Sequence, residues 1–273
     1  MNKSVLKIII TSGWFSDWNY TPHRCSHQHD PDATHTEAIV MLRFLIILLI
    51  FSHGALAVEF SSHEQATTVV ELYTSEGCSS CPPADKWLSH MQQDSRLFES
   101  LLPLAFHVDY WDQLGWKDRF AQSAFSERQR QLVRQGLLSQ VYTPGIVVNS
   151  AEWRAWFKGQ RRVPVAENKP GVLRATLANG LLQVHFKQDR VLQLNVAYLG
   201  LGLKTEVESG ENRNRTLEHD FVVLDLLQQQ GKSDWRLNLP AVPEFGQRRT
   251  AIAVWLTELD SLSIIQAAAT YID

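Results

Sequence analysis

Residues 67–83 read TTVVELYTSEGCSSCPP, and this stretch decides the fold of the first part of the chain. Thr67–Thr74 is apolar and rich in β-branched residues, which is typical of a buried strand. A Ser-Glu-Gly turn follows, and the Pro-Pro pair then begins a predicted helix, because the first N–H groups of a helix have no intrahelical partner. Cys78 and Cys81 therefore lie at a strand-to-helix junction.

Strands and helices continue to alternate after this junction. Leu101–Asp109 is apolar enough for a second strand, Arg119–Gln135 is helical in composition, and Ile146–Asn149 predicts a third strand. Strand–helix–strand alternation is typical of an α/β layer. We therefore predict an α/β domain over residues 58–160.

The pattern changes after a polar, proline-containing stretch at residues 159–171. Asn179-Gly180, between two short alternating segments, is the strongest short-range signal for a β-hairpin. More short strands are predicted at residues 192–198, 204–208, 216–223, 235–239, 250–256 and 264–271. Short strands separated by turns predict an antiparallel β-sandwich domain over residues 161–273.

The segment Cys78-Ser79-Ser80-Cys81 carries the predicted chemistry. A helix N-terminus has a partial positive charge and free N–H groups, both of which stabilise a thiolate. We expect Cys78 to be the exposed attacking thiol at the helix cap and Cys81 to be the more buried resolving thiol. A C-x-x-C motif at such a junction in an exported protein indicates thiol–disulfide chemistry.

A Thr-Pro turn is the second candidate element of the site. Val141–Asn149 reads VYTPGIVVN, so the turn runs directly into a strand. In thioredoxin-like folds a cis-proline in this setting lies against the dithiol and presents backbone to the substrate. Because a cis bond costs little before proline, we predict that Thr143–Pro144 is cis and that Pro144 belongs to the site. An ordinary trans proline is the alternative.

Three segments, Val69–Asp85, His107–Asp118 and Val141–Asn149, together resemble the DUF1223 family of exported, thioredoxin-like proteins, and the similarity extends to Gly210–Leu217 (GENRNRTL). The resemblance implies an α/β thioredoxin-like N-terminal domain followed by a C-terminal β-domain. The sequence departs from thioredoxins at the Ser-Ser pair between the cysteines and at Gly77. The resemblance implies no settled activity, and we expect no cofactor.

Glu71 lies on the strand that leads into the cysteine motif. It could be the buried acid that relays protons to the dithiol. Side chains alternate between the two faces of a strand, and Glu71 is one residue out of the thioredoxin register. A strand-end carboxylate that is paired elsewhere is therefore the alternative.

Metal binding is a weaker interpretation of the same residues. Zinc would need two further ligands, and residues 58–273 contain no second C-x-x-C motif. His107 could join the cysteines in holding copper(I), which favours soft thiolates, although packing of the aromatic HVDYWD segment explains it better. Arg213 and Arg215 are expected to be solvated. We predict no metal site.

Residues 41–57 predict a signal peptide. Met41-Leu42-Arg43 is positively charged, Phe44–Phe51 is apolar, and Ala55-Leu56-Ala57 is a small-x-small cleavage pattern. The apolar run is far shorter than the ~20 residues of a membrane-spanning helix, so we expect no stable membrane anchor after cleavage. Residues 1–40 are then a start-site extension. N-terminal sequencing of the exported protein should begin at Val58, and a sequence beginning at or before Met41 would contradict this prediction.

Composition is that of a globular protein. Lys and Arg number 26 against 29 Asp and Glu, giving a formal charge of −3. With no long basic block, we expect no nucleic-acid partner. The leading hypothesis is a periplasmic or secreted thiol–disulfide oxidoreductase that acts on a protein thiol or disulfide client. The alternatives are an envelope binding protein with a structural disulfide and a thiol-based copper(I) carrier.

Overall fold

The computed structural model describes residues 57–273. The predicted start-site extension (residues 1–40) and the predicted signal peptide (residues 41–57) lie outside the described residues, apart from Ala57. Residues 57–273 lie within one compact unit. Neither helix in the described part of the chain is long and apolar enough to cross a membrane.

Fourteen strands and two α-helices make up the described part of the chain. The helices are α1 (Pro82–Ser89) and α2 (Ser123–Arg134). The strands are β1 (Val58–Ser61), β2 (Thr68–Thr74), β3 (Leu101–His107), β4 (Gly145–Val148), β5 (Ala151–Glu152), β6 (Leu173–Ala178), β7 (Leu181–Phe186), β8 (Leu192–Leu201), β9 (Leu203–Glu206), β10 (Thr216–His219), β11 (Val222–Gly231), β12 (Asp234–Asn238), β13 (Arg249–Thr257) and β14 (Ile264–Tyr271).

The strands form three sheets. An eight-stranded sheet has the order β14-β13-β8-β11-β3-β2-β4-β5, a four-stranded sheet has the order β1-β6-β7-β12, and β9 pairs with β10. In the large sheet β2 and β11 both run parallel to β3, whereas β4 runs antiparallel to β2. The β-rich character predicted from the sequence is confirmed.

Two apolar layers lie on the two faces of the eight-stranded sheet. On β8, Ala197 and Leu199 pack with the helices, whereas Val196 and Tyr198 pack with the four-stranded sheet. This division follows from the alternation of side chains along a strand. The layers are therefore helices, the large sheet and the small sheet.

Local sequence signals predicted most elements around the cysteine motif. The predicted strands and helices between residues 67 and 149 are present, with ends that differ by no more than four residues. The predicted hairpin at residues 173–186 is also present, and both turn residues, Asn179 (φ 51°) and Gly180 (φ 75°), have the left-handed backbone that such a turn requires.

The long-range strand pairing differs from the predicted self-contained sandwich. β8, β11, β13 and β14 join the sheet of β2, β3 and β4, and β1 pairs with β6. The junction is at Val222, which lies opposite Ala105 in parallel register. An edge strand exposes unpaired N–H and C=O groups, and β11 covers that edge of β3. The eight-stranded sheet and the four-stranded sheet therefore each combine strands from before and after the predicted domain boundary at residues 160 and 161.

Candidate functional site

Cys78 and Cys81 close the turn between β2 and α1. Their Sγ atoms are 2.13 Å apart, at disulfide distance, and their Cα atoms are 5.4 Å apart. Ser75 shapes the turn, because Gly77 N–H donates to Ser75 Oγ and Cys78 N–H donates to Ser75 O, each at 3.1 Å. The predicted pairing of the two cysteines is confirmed.

The predicted position of Cys78 at the helix cap is wrong, because the cap residue is Cys81. The first two residues of α1 are prolines, which have no N–H group. The next two N–H groups, of Ala84 and Asp85, donate to Cys81 O at 2.8 and 3.1 Å. The helix therefore leaves few donors for a thiolate, and the side chain that contacts Cys78 Sγ is the Ser80 hydroxyl at 3.4 Å.

The predicted exposure of Cys78 is also wrong. Cys78 and Cys81 are both 0% exposed, whereas Ser79 and Ser80 between them are exposed. The short peptide between the cysteines faces solvent while the disulfide itself is covered. The covering segments come from residues remote in sequence, so the local pattern could not predict them.

Residues 207–215, which connect β9 to β10 and are here called the covering loop, contact the cysteine motif through Asn212. The Asn212 amide is 0% exposed, and it donates to Glu76 O at 2.8 Å and to Cys78 O at 2.9 Å. Arg215 donates to Asn212 Oδ1 at 3.0 Å and so fixes the orientation of the amide. Arg213 and Arg215 are both exposed, as expected, and Arg215 also supports the site through this hydrogen bond.

Two further contacts hold the covering loop in place. The Glu211 carboxylate accepts a hydrogen bond from Ser79 N–H at 3.1 Å. Hydrogen bonding with the Ser79 side chain, and with this N–H group, lowers the pKa of Glu211. Ser209 Oγ donates to Gly115 O at 2.5 Å. The only sequence signal for this loop was its place within the GENRNRTL segment, and composition gave no reason to connect it with the cysteines.

Trp111 connects the cysteine turn to the Thr-Pro turn. A Cβ atom added to Gly77 would lie 3.0 Å from Trp111 Cβ, so a glycine allows this close approach. The Trp111 indole donates to Thr143 Oγ1 at 2.8 Å. The Thr143–Pro144 bond is cis, as predicted, and Pro144 is buried. The part that Pro144 plays in the chemistry stays a prediction.

Five titratable side chains are buried together next to the cysteine motif. They come from the turn, from α1, from the end of β3, from the loop after β3 and from β10. This buried acid–histidine cluster consists of Glu76, Asp85, His107, Asp118 and His219. Sequence reasoning singled out only His107, although Glu76, Asp85 and Asp118 lie within the segments that carry the family resemblance.

The first ion pair of the cluster joins His107 and Asp118. His107 Nδ1 lies 2.7 Å from Asp118 Oδ2, and both side chains are fully buried. Burial by itself lowers the pKa of His107, but the Asp118 carboxylate outweighs it and raises that pKa. Burial likewise opposes ionisation of Asp118, yet His107 and the N–H groups of Glu76 and Phe120 lower the pKa of Asp118. The pair is therefore held in its charged form.

The second pair joins Glu76 and His219. Glu76 Oε1 is 3.3 Å from His219 Nε2, and Glu76 Oε2 accepts a hydrogen bond from the Trp116 indole at 2.8 Å. The rings of His107 and His219 lie edge to face, 4.9 Å between centroids. The two pairs thus form one continuous polar cluster inside the protein.

Glu71 is engaged in a separate ion pair. Arg128 on α2 donates to both Glu71 oxygens at 2.9 and 3.1 Å, and the Tyr73 hydroxyl donates to Glu71 at 2.7 Å. Burial by itself lowers the pKa of Arg128, but the negative charge of Glu71 outweighs burial, so the pKa of Arg128 is raised. This arrangement agrees with the alternative of a carboxylate paired elsewhere, although Glu71 lies in the middle of β2 rather than at its end.

The described residues offer no group of three or more His, Cys, Asp or Glu side chains arranged to hold a metal ion. His107, the residue considered for copper(I), places one ring nitrogen against Asp118. Its other nitrogen, Nε2, has no hydrogen-bond partner among the described residues.

Two solved structures are similar to the chain. A protein of Agrobacterium tumefaciens, solved by a structural genomics consortium, is 25% identical, with a TM-score of 0.52, and the match covers 75% of this chain and 94% of that one. HBP35 of Porphyromonas gingivalis is 14% identical, with a TM-score of 0.46, covering 77% of this chain and 76% of that one. No curated protein matches the chain.

The family resemblance noted from the sequence is confirmed. The family described as "Protein of unknown function (DUF1223)" matches residues 69–257. These residues include the cysteine motif, the Thr-Pro turn, the buried acid–histidine cluster and the covering loop. The chain belongs to the DUF1223 family.

Proposed function

We propose that this protein is an exported thiol–disulfide oxidoreductase in which Cys78 and Cys81 alternate between a disulfide and a dithiol. One observation carries the proposal: a cysteine pair at disulfide distance spans a strand-to-helix turn beside five buried titratable groups. The pKa values of three of these groups, Asp85, His107 and Asp118, are shifted, and such perturbed groups cluster at functional sites more often than elsewhere. A purely structural disulfide needs no such neighbours.

A thioredoxin-like arrangement of residues 58–160 is part of this proposal. It is supported by the parallel pairing of β2 with β3, by the antiparallel pairing of β2 with β4 and by the position of α1 directly after the cysteine motif. The Thr143–Pro144 turn before β4 is the corresponding support for Pro144 as a site residue.

The reaction that we propose has two exchange steps. The Cys78 thiolate attacks one sulfur of a client disulfide, the client S–S bond breaks, and one client sulfur leaves as a thiolate. The Cys81 thiolate then attacks Cys78 Sγ, which releases the second client sulfur as a thiolate. The client gains two electrons, and the Cys78–Cys81 disulfide forms. The same steps in reverse oxidise a client dithiol.

Access of a client requires the covering loop to move. The side-chain hydrogen bonds that hold this loop in place are two from Asn212 and one accepted by Glu211 on the motif, together with one from Ser209 to Gly115. Such a small number of bonds is compatible with local opening at a cost well below that of global unfolding. We therefore include opening of residues 207–215 in the proposed catalytic cycle.

The burial of both sulfurs favours a second candidate function. A disulfide that is 0% exposed at both cysteines is what an envelope binding protein with a structural disulfide would have. In that case the protein partner would bind elsewhere, and loss of both cysteines would leave its binding unchanged. Export to the periplasm or the exterior is part of both proposals, because disulfides persist in oxidising compartments.

Trapping of mixed disulfides tests the proposed function. Cys81→Ser should accumulate covalent complexes with client proteins, because Cys78 attacks but cannot be resolved. Cys78→Ser, the matched control, should trap few complexes. The measurement is a non-reducing gel of both variants from intact cells. Equal trapping would refute the assigned roles, and no trapping by either variant would favour the binding protein.

A further inference from the structure

Asp85 is the one acid of the buried acid–histidine cluster that no histidine of the cluster pairs with. His107 pairs with Asp118 and His219 with Glu76. The cluster therefore has three carboxyl groups but only two imidazoles. No Lys, Arg or His nitrogen of the described residues lies within 4.0 Å of the Asp85 carboxylate. A buried charge without a partner is costly, so the Asp85 carboxyl group holds a proton more readily than an exposed carboxyl group does.

Asp85 and Cys81 share one face at the start of α1. They are four residues apart, and Asp85 N–H donates to Cys81 O at 3.1 Å. Side chains at this spacing lie one above the other, with Cβ atoms about 5–6 Å apart. Cys81 is 0% and Asp85 7% exposed. Asp85 is therefore a buried neighbour of the resolving cysteine on the first turn of the helix.

A cavity connects Asp85 with solvent. It has a volume of about 310 Å³ and is lined by residues of α1 and β10, among them Pro82, Asp85, Glu218 and His219. The cavity opens beside the helix and not through the covering loop. A proton on Asp85 can thus exchange with water while the cysteines remain covered.

The charges around Asp85 act in opposite directions. Burial raises its pKa most, His219 on β10 and His107 at the end of β3 lower it, and Asp118 raises it. Lys86, the next residue of α1, is exposed. The net result is a raised pKa, which brings the carboxyl group closer to a thiol in proton affinity.

We propose that Asp85 accepts the proton of Cys81 when Cys81 resolves the mixed disulfide. The Cys81 S–H bond breaks and its proton passes to the Asp85 carboxylate. The resulting thiolate forms a bond to Cys78 Sγ, and the bond between Cys78 and the client sulfur breaks, with its electron pair leaving on the client thiolate. Asp85 then returns the proton to water through the cavity. This inference rests on the proposed function.

The test uses 5,5′-dithiobis(2-nitrobenzoate) on the reduced chain starting at Val58. Attack by Cys78 releases one coloured thiolate, and resolution by Cys81 releases the second, so the two steps are measured separately. At pH 6.5, the rate of the first step in Asp85→Asn should stay within about twofold of the wild-type rate. The second step should be about 100-fold slower than in the wild type, which is the lower end of the contribution of general-base catalysis. The difference should shrink as pH approaches the thiol value of about 8.5.

Asp260→Asn, an exposed carboxylate in the turn before β14, is the matched control and should change neither step. Stability is checked by urea unfolding. The pKa of Asp85 is raised in the folded protein, so its ionisation destabilises the fold as pH rises above the unfolded value. Asp85→Asn should therefore be at least as stable as the wild type at pH 8.

The outcomes separate the two proposals. If the wild type releases both thiolates and Asp85→Asn does so at the same rates, the role of Asp85 is overturned and the proposed function stands. If the wild type releases no second thiolate, the proposed function itself fails. If Asp85→Asn does not fold, the pH dependence of the second step in the wild type decides the question. A rate that follows only the ionisation of the thiol, with no ionisation at lower pH, would contradict the inference.

Discussion

Replacement of Arg128 by Met should destabilise the protein by about 3–5 kcal/mol, the cost of leaving a buried charge without its partner. Arg128 makes two hydrogen bonds to Glu71, and the side chains are 4% and 1% exposed. Met keeps much of the aliphatic volume between the Phe106 and Trp255 rings. The measurement is the free energy of unfolding in urea.

Two further variants make this experiment specific. Arg130→Met, on the exposed side of the same helix, removes a surface pair worth about 0–1 kcal/mol. The double variant Arg128→Met/Glu71→Gln should recover a large part of the loss, because no buried charge remains. A loss below 1 kcal/mol in Arg128→Met would mean that the pair does not hold α2 on the sheet.

Removal of the Asn212 amide should make the buried disulfide easier to reduce. Asn212→Ala leaves the carbonyl groups of Glu76 and Cys78 without these donors, and an unsatisfied buried group costs ~1–3 kcal/mol. If reduction proceeds through local opening of the covering loop, its rate follows the population of the open form. Dithiothreitol should then reduce Asn212→Ala at least about tenfold faster than the wild type. A tenfold change in the population of the open form corresponds to about 1.4 kcal/mol.

Asn238→Ala, which changes an exposed asparagine at the end of β12, is the control for Asn212→Ala and should leave the reduction rate unchanged. The rate is followed by alkylation of the released thiols. If Asn212→Ala is reduced no faster than the wild type, residues 207–215 do not control access to the cysteines. If the rate of disulfide reduction equals the rate of global unfolding in every variant, the disulfide is structural.

Local sequence signals were sufficient for the elements around the motif and for the hairpin at Asn179-Gly180. Strand composition, the Pro-Pro pair and the turn residues act over a few positions. The parallel pairing of Val222 with Ala105 joins positions more than a hundred residues apart, and no local pattern predicts such a partner. The apolar strand β3 needs a neighbouring strand on this edge, but its sequence does not identify which strand that is.

The candidate site was only partly predictable for the same reason. The C-x-x-C spacing predicted the cysteine pair, and the Thr-Pro turn predicted the cis bond. The exposure of Cys78 could not be predicted, because Asn212 and Trp111 come from distant segments. His219 is an ordinary strand residue in the sequence, and only the packing of β10 against α1 brings it beside Glu76.

Titration of the cysteine pair against glutathione tests the proposed redox function most directly. A chain starting at Val58 contains only Cys78 and Cys81, so alkylation and mass measurement report on this pair alone. The account predicts reversible interconversion of disulfide and dithiol in the folded protein, at a potential above about −300 mV, the region below which structural disulfides lie. A pair that stays oxidised in the most reducing buffer, and is reduced only when urea unfolds the protein, would contradict it.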